Sequence, residues 1–224
     1  MVVFLASYLV LSFGTLAIAP VMGRVPLPCF GEPLRSASPI FCVLNRNYVS
    51  LDLKARLTAL ADHMHQRFPG TITLTLDANF PFLNGFPLLP HLSHDDGEKV
   101  DLAFYYLDGE QTYLPAQTKS PIGYWAFEQP SASDPQPCNR RSDALTLRWD
   151  MAWLQPVWPG WKIDPLRTSV ALDWLASNAE LGTEVKLLLE PHLKQHLAPN
   201  LASVRFQGCR AARHDDHIHL QVSQ

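Results

Sequence analysis

No charged side chain occurs before Arg24, no Cys-x-x-Cys spacing occurs anywhere, and no internal repeat is visible. Basic residues are not in excess either, and each of these lacks excludes something. A formal net charge of -3 leaves no electrostatic footprint for nucleic acid, so nucleic-acid partners are not expected. The missing Cys-x-x-Cys argues against a thiolate metal site. Glycine is modest at 11 while proline reaches 19, which favours long ordered loops between short elements. The 224 residues suit one domain of generous size, able to bury a full core without help from disulfides.

Residues 1–22 form an uncharged run rich in Leu, Val, Ala and Phe. Such a run is long enough to cross a bilayer, so it reads as a hydrophobic signal or a membrane anchor. Ala17-Ile18-Ala19 has the small residues of a cleavage site, but Pro20 follows it and no basic region precedes it. The balance leans toward an uncleaved anchor. Either way the chain is expected outside the cytoplasm, in the periplasm or cell envelope, with membrane contact through this segment if it is retained. In that setting Cys29 can pair with Cys42 across a small loop, leaving Cys138 for Cys209. Reduced, buried thiols are the alternative.

Residues 23–49 lack periodicity and read as a linker or extended arm. A helix is predicted from about Ser50 to Phe68, capped at its start and striped by Leu53, Leu57, Leu60 and Met64. His63 and His65 lie off that stripe and read as solvated. Residues 71–76 alternate polar with apolar and predict a half-buried strand. Residues 77–92 are a loop, and 100–107 a strand. Residues 108–144 are long and irregular, with aromatics at Tyr113, Tyr124, Trp125 and Phe127 that suggest an ordered cleft wall. A helix from Pro165 to about Leu181, capped by Asp164 and stopped by Gly182, comes next. A strand at 183–190, a short helix at 191–197 and a closing strand at 214–222 complete the chain. The fold class is α+β: a mainly antiparallel sheet with flanking helices, long ordered loops and a site on the sheet face.

Two histidine clusters carry the chemistry. One is His91-Leu92-Ser93-His94, running on to Asp101. The other is His214-Asp215-Asp216-His217-Ile218-His219. On a strand, His217 and His219 share one face while Ile218 and Leu220 share the other. Two imidazoles on one face are costly to bury without a charge or a metal to bind. Two imidazoles plus a carboxylate are a typical protein set for catalytic zinc. Gly97 permits the turn between His94 and Asp101.

The pattern Ser93-His94-x-x-Gly97-x-x-x-Asp101 with distal His217-x-His219 resembles the zinc peptidase superfamily of the D-alanyl-D-alanine peptidases and the hedgehog signalling domain. With His91 and the run from His214 to His219, it is most similar to the penicillin-insensitive murein endopeptidases. The resemblance covers about residues 70–222, and only the two clusters are specific. It implies a zinc peptidase-like domain over 50–224, with Zn2+ held by His94, Asp101 and His219. It implies that His217 acts beside the activated water, with His91 and His214 as accessory histidines. His91 is retained as a further candidate ligand. The substrate implied is a peptidoglycan peptide, cut by an endopeptidase or carboxypeptidase. One departure stands out. The D-alanyl-D-alanine peptidases carry Glu three residues before the last ligand as general base, and here that position is Asp216. On an ideal strand Asp216 would face away from His219, so the base is His217 or Asp216.

Arg205, Arg210 and Arg213 flank the closing cluster, and Arg205 and Arg213 are candidates for holding a substrate carboxylate. The hydroxyls of Tyr105 and Tyr106 are positional candidates for oxyanion donors. His192 and His196, four apart on a helix, could hold a metal but read as surface residues. Two other classes of function stay open: a non-catalytic zinc-containing binding domain of the hedgehog type, and a metal-free extracytoplasmic interaction domain.

Overall fold

A computed structural model describes residues 2–86, 88–89, 92–139, 141, 148, 151–157, 160–177 and 184–223. His91 and Gly182 lie outside the described residues. The chain opens with helix α1 (Val2–Ile18) and a short 3-10 turn at Ala19–Met22. At 17 residues α1 falls short of the expected bilayer-crossing length, and among the described residues no helix is long and apolar enough to cross a membrane. Polar side chains fasten α1 to the body: the Thr15 hydroxyl meets Tyr48 Oη at 2.8 Å, and Asn45 Nδ2 donates to Ser12 Oγ at 3.1 Å.

The segment read as a linker or arm is built into the domain. It carries β1 (Val25–Pro26), β2 (Leu34–Ser36), α2 (Pro39–Val43) and β3 (Tyr48–Val49). β1 pairs with β3, and β2 joins the main sheet. Leu27 and Leu34 are buried in the core. A Cys29–Cys42 disulfide closes this region, and a second joins Cys138 to Cys209, the pairing expected from the spacing.

Helix α3 (Leu51–Arg67) begins where Ser50 Oγ accepts a hydrogen bond from Leu53 N at 3.1 Å. Its Leu53, Leu57, Leu60 and Met64 stripe is fully buried. His63 and His65 are half-buried rather than solvated: one stacks on Trp174, and the other bonds the Thr71 carbonyl through Nδ1. The following strand, β4 (Thr73–Thr75), is buried on both faces. The alternation of 71–76 suggested one wet face, but Thr73 Oγ1 spends its polarity on Tyr105 Oη at 2.8 Å.

The expected strand over 100–107 is two elements. β5 (Lys99–Ala103) stays in the main sheet, and β6 (Tyr106–Leu107) turns away to pair with β7 (Lys162–Ile163). Helix α4 (Pro165–Ser177) follows, with Asp164 Oδ1 accepting from Arg167 N at 3.0 Å at its start. β8 (Glu184–Leu188), α5 (Pro191–Leu197), β9 (Val204–Arg205) and β10 (His217–Ser223) complete the fold.

The fold is α+β around a six-stranded mixed sheet in the order β2-β4-β5-β10-β8-β9. The centre is antiparallel, but β2–β4 and β8–β9 are parallel, so the expected mainly antiparallel sheet is only its middle. Both parallel pairs follow helical crossovers, through α2–α3 and α5, which return the chain in the same direction. Val100, Leu102, Ile218, Leu220 and Val222 pack in one core with α3 and α4 residues. Period-two geometry then turns Asp101, His217 and His219 to the opposite face.

Candidate metal and catalytic centre

The central ladder sets the first part of the site. β5 and β10 pair antiparallel with His219 directly opposite Asp101, so both side chains leave the same face. His219 Nδ1 lies 2.8 Å from Asp101 Oδ1. A loop supplies the third group. His94 Nδ1 donates to the Ala78 carbonyl at 3.1 Å, which directs the Nε2 lone pair inward. His94 Nε2 is 3.2 Å from His219 Nδ1 and 3.4 Å from Asp101 Oδ1. All three side chains are buried.

The loop that brings His94 in is tightly tied. Ser50 N donates to the Gly97 carbonyl at 2.9 Å, and Ser50 Oγ donates to Glu98 Oε2 at 2.9 Å. Gly97 has φ +86°, and the Arg24 guanidinium occupies the space where a Cβ would stand. Asp101 itself is framed by main-chain bonds: its N–H donates to the Asp77 carbonyl at 2.9 Å, and Leu76 N donates to its carbonyl at 2.8 Å.

The donor set fits a divalent metal of the zinc type. A tetrahedral ion with bonds of ~2.1 Å separates its ligand atoms by ~3.4 Å, and the three edges here are 2.8, 3.2 and 3.4 Å. Among the described residues this triad is the one group of three such side chains able to hold a metal ion. The His94 bond to a backbone carbonyl is the outer support usual for a ligating imidazole. Burial foremost pushes the His219 imidazole down to about 4, despite Asp101 beside it. It is therefore neutral, as a ligand must be.

His217 stands next to the triad without belonging to it. Its Nδ1 is 2.6 Å from Asp216 Oδ1, and its Nε2 is 3.6 Å from Asp101 Oδ1. Burial alone would lower its pKa, but the Asp101 and Asp216 carboxylates outweigh this and lift it to about 9. β10 begins only at His217, and Asp215 and Asp216 sit in a bend before it. That irregularity lets Asp216 reach its own neighbour's ring. Asp216 Oδ2 in turn accepts from Ser120 Oγ at 3.1 Å and from the Tyr124 amide. The Asp216 carboxylate thus addresses His217 and the 120–124 turn, not the triad.

The remaining candidates separate clearly. The His214 ring lies edge-on to His217 and His219, with centroids 5.3 and 5.5 Å away. Arg213 clasps Asp215 through two bonds of 3.0 and 2.6 Å and covers the Phe127 ring at 3.7 Å. Burial, only partly offset by Arg213, raises the Asp215 carboxyl to about 6. Arg205 is not at the centre: it lies on edge strand β9, beyond β8, paired with Glu184 at 3.1 Å in solvent. Arg210 is exposed. The Tyr105 hydroxyl is engaged by Thr73 at 2.8 Å, and Tyr106 is buried with Lys119 over its ring. His192 is buried rather than on the surface, bonding the Glu128 carbonyl at 2.8 Å, while His196 pairs with Asp134 at 2.8 Å. The two hold one loop against α5 and share no ligand.

Ala78, Ser120 and the Tyr124 amide also belong to the site, and no motif in the sequence marks them as such. A turn signal existed at Ser120-Pro121-Ile122-Gly123, closed by Gly123 N donating to the Ser120 carbonyl at 3.1 Å. Nothing in the sequence said that the turn faces Asp216. The chain matches no protein-family model and no curated protein.

Proposed function

We propose that the protein is a zinc-dependent peptidase that hydrolyses an amide bond in peptidoglycan peptides. One observation carries the reading: a buried His94–Asp101–His219 triangle of zinc-sized edges, with an Asp216-bound His217 aimed at it. A zinc ion held by the triad would supply Lewis-acid activation of water and of the scissile carbonyl. The chain's own residues supply the rest. His217, with its Nδ1 proton directed at Asp216, presents Nε2 as the general base that takes a proton from water. The same nitrogen can hand that proton to the leaving amine. Asp216 orients the ring, and Asp101 serves as ligand and as counter-charge to the imidazolium that forms. His214 walls one side of the base.

The peptidoglycan substrate rests on the resemblance to murein endopeptidases carried by the two clusters. Two disulfides support placement in an oxidising compartment outside the cytoplasm, where that polymer lies. The His217–Asp216 pair favours catalysis over a zinc-containing binding domain, because a purely structural site has no use for it.

The full chain, loaded with zinc, should release peptide fragments from purified sacculi, and a chelator should stop the release. Mass spectrometry of the fragments identifies the bond that is cut. No release by the zinc-loaded protein, together with unchanged zinc content in His219→Ala, would overturn the reading.

A further inference from the structure

We infer that the turn at 118–125 is a carboxylate cradle that fixes the orientation of the base, with Ser120 and the Tyr124 amide as its positioning groups. The inference rests on the proposed hydrolytic role of His217. It assigns a task to a loop that shows no metal ligand and no strand pairing.

The cradle is built from backbone that adopts unusual angles. Gly123 has φ +82° and Tyr124, which carries a side chain, has φ +73°. Side-chain-bearing residues seldom occupy that region, and where they do the surroundings enforce it. Here the result is that the Tyr124 N–H points at Asp216 Oδ2. Ser120, wholly buried, sends its hydroxyl to the same oxygen at 3.1 Å. The turn is clamped from several sides. Trp125 Nε1 donates to the Lys119 carbonyl at 3.3 Å, Met151 N donates to the Tyr124 carbonyl at 2.6 Å, and Lys119 pairs with Glu128. The Tyr124 ring also stands edge-on to His217, 6.4 Å between centroids.

The chemistry of the donors gives the cradle its consequence. An ionised carboxylate only accepts, so Asp216 can satisfy Ser120, Tyr124 and His217 Nδ1–H at once. This leaves the Nε2 lone pair of a neutral His217 on the triad side. An amide in place of the carboxylate has one oxygen and one NH2. The Tyr124 N–H can only donate, so the oxygen must face the turn and the NH2 must face His217. The imidazole then has to accept at Nδ1 and carry its proton on Nε2, the wrong nitrogen for a base.

Asp216→Asn and Ser120→Ala test this in the zinc-loaded full chain, where the neighbouring dication favours a neutral His217. Nitrogen-15 NMR of the imidazoles reads the tautomer directly. The wild type should show His217 protonated on Nδ1, and Asp216→Asn should move the proton to Nε2. Zinc content should stay at wild-type level, and kcat on sacculus fragments should fall roughly a thousandfold or more. Ser120→Ala removes one of three bonds to the carboxylate. It should lower kcat roughly tenfold, with KM within about twofold and zinc retained. Protonation still on Nδ1 in Asp216→Asn, or wild-type kcat in Ser120→Ala, would overturn the cradle. If the wild type cleaves nothing, the hydrolytic reading fails, while the tautomer result still decides whether the turn orients His217.

Discussion

The two halves of the site are held by different physics. Asp101 and His219 face each other across a regular antiparallel ladder in the middle of the sheet. His94 and the Asp216 carboxylate are placed by loops, through the Ala78 carbonyl on one side and the 120–124 turn on the other. In the ladder, register alone brings the two side chains together, and main-chain bonds on both flanks of β10 maintain it. In the loops, each placement depends on a few side-chain or amide contacts. The ladder half therefore sets where a metal can sit, and the loop half sets what the neighbouring imidazole can do.

The largest expected effect lies on the ladder. Asp101 is within 2.8, 3.4 and 3.6 Å of nitrogens of His219, His94 and His217. Asp101→Ala removes a proposed metal ligand and a carboxylate that all three rings share. Zinc content of the purified protein should drop to background, and hydrolysis should be lost with it. His217→Ala sharpens the contrast. It should keep zinc near one equivalent while lowering kcat by roughly 10²–10⁴-fold, the usual worth of a positioned general base. Equal zinc loss in both variants would erase the distinction between ligand and base.

Protons report the same division in the metal-free protein. His217 is raised from 6.5 to about 9, so its contribution to stability is complete below pH 6.5 and is lost as pH rises through about 9. His219 is depressed to about 4, so its contribution is complete above pH 6.5 and is lost as pH falls through about 4. These two imidazoles by themselves favour a pH near 6.5; the Asp215 carboxyl, raised to about 6, offsets the acid limb, so the alkaline limb is the one to read. Zinc, which substitutes for the proton near Asp101, should flatten the alkaline limb. Urea midpoints measured at pH 5, 6.5 and 9 with and without chelator check this. A chelated protein more stable at pH 9 than at pH 6.5 would contradict it.

How much of this was legible in the sequence follows the same line. Strand period two and the His217-x-His219 spacing placed both rings on one face, and the structure has them there. The α3 stripe and its Ser50 cap were equally legible, because both depend on neighbours within a few residues. Long-range pairings were not. The parallel partners of β2 and β9 depend on contacts well beyond neighbouring residues, so the sequence reads as more antiparallel than the sheet is. The buried threonines of β4 misled for a related reason: alternation signals a wet face only if nothing covers it. On a regular strand Asp216 turns away from His219. The bend at Asp215 and Asp216 and the Ser120 hydroxyl, 96 residues away in sequence, changed its role.

The smallest expected effect concerns the arginines that flank β10 in sequence. In sequence Arg205 and Arg213 are equivalent candidate anchors for a substrate carboxylate, but the fold parts them. Arg213 is half-buried, bound to Asp215 and laid over Phe127, immediately before His214. Arg205 stands on the sheet edge, its side chain 54% exposed against a Glu184 that is 68% exposed. An ion pair so open to solvent contributes about 0–1 kcal/mol, and its screening by salt lowers even that. Arg205→Ala should leave kcat/KM on sacculus fragments within about twofold of wild type and barely change the urea midpoint. A tenfold rise in KM would return Arg205 to the substrate path and imply that the cleft extends past β8. Arg213→Ala, by contrast, leaves the Asp215 carboxylate without its main partner beside the base. It should lower stability measurably while leaving bound zinc in place.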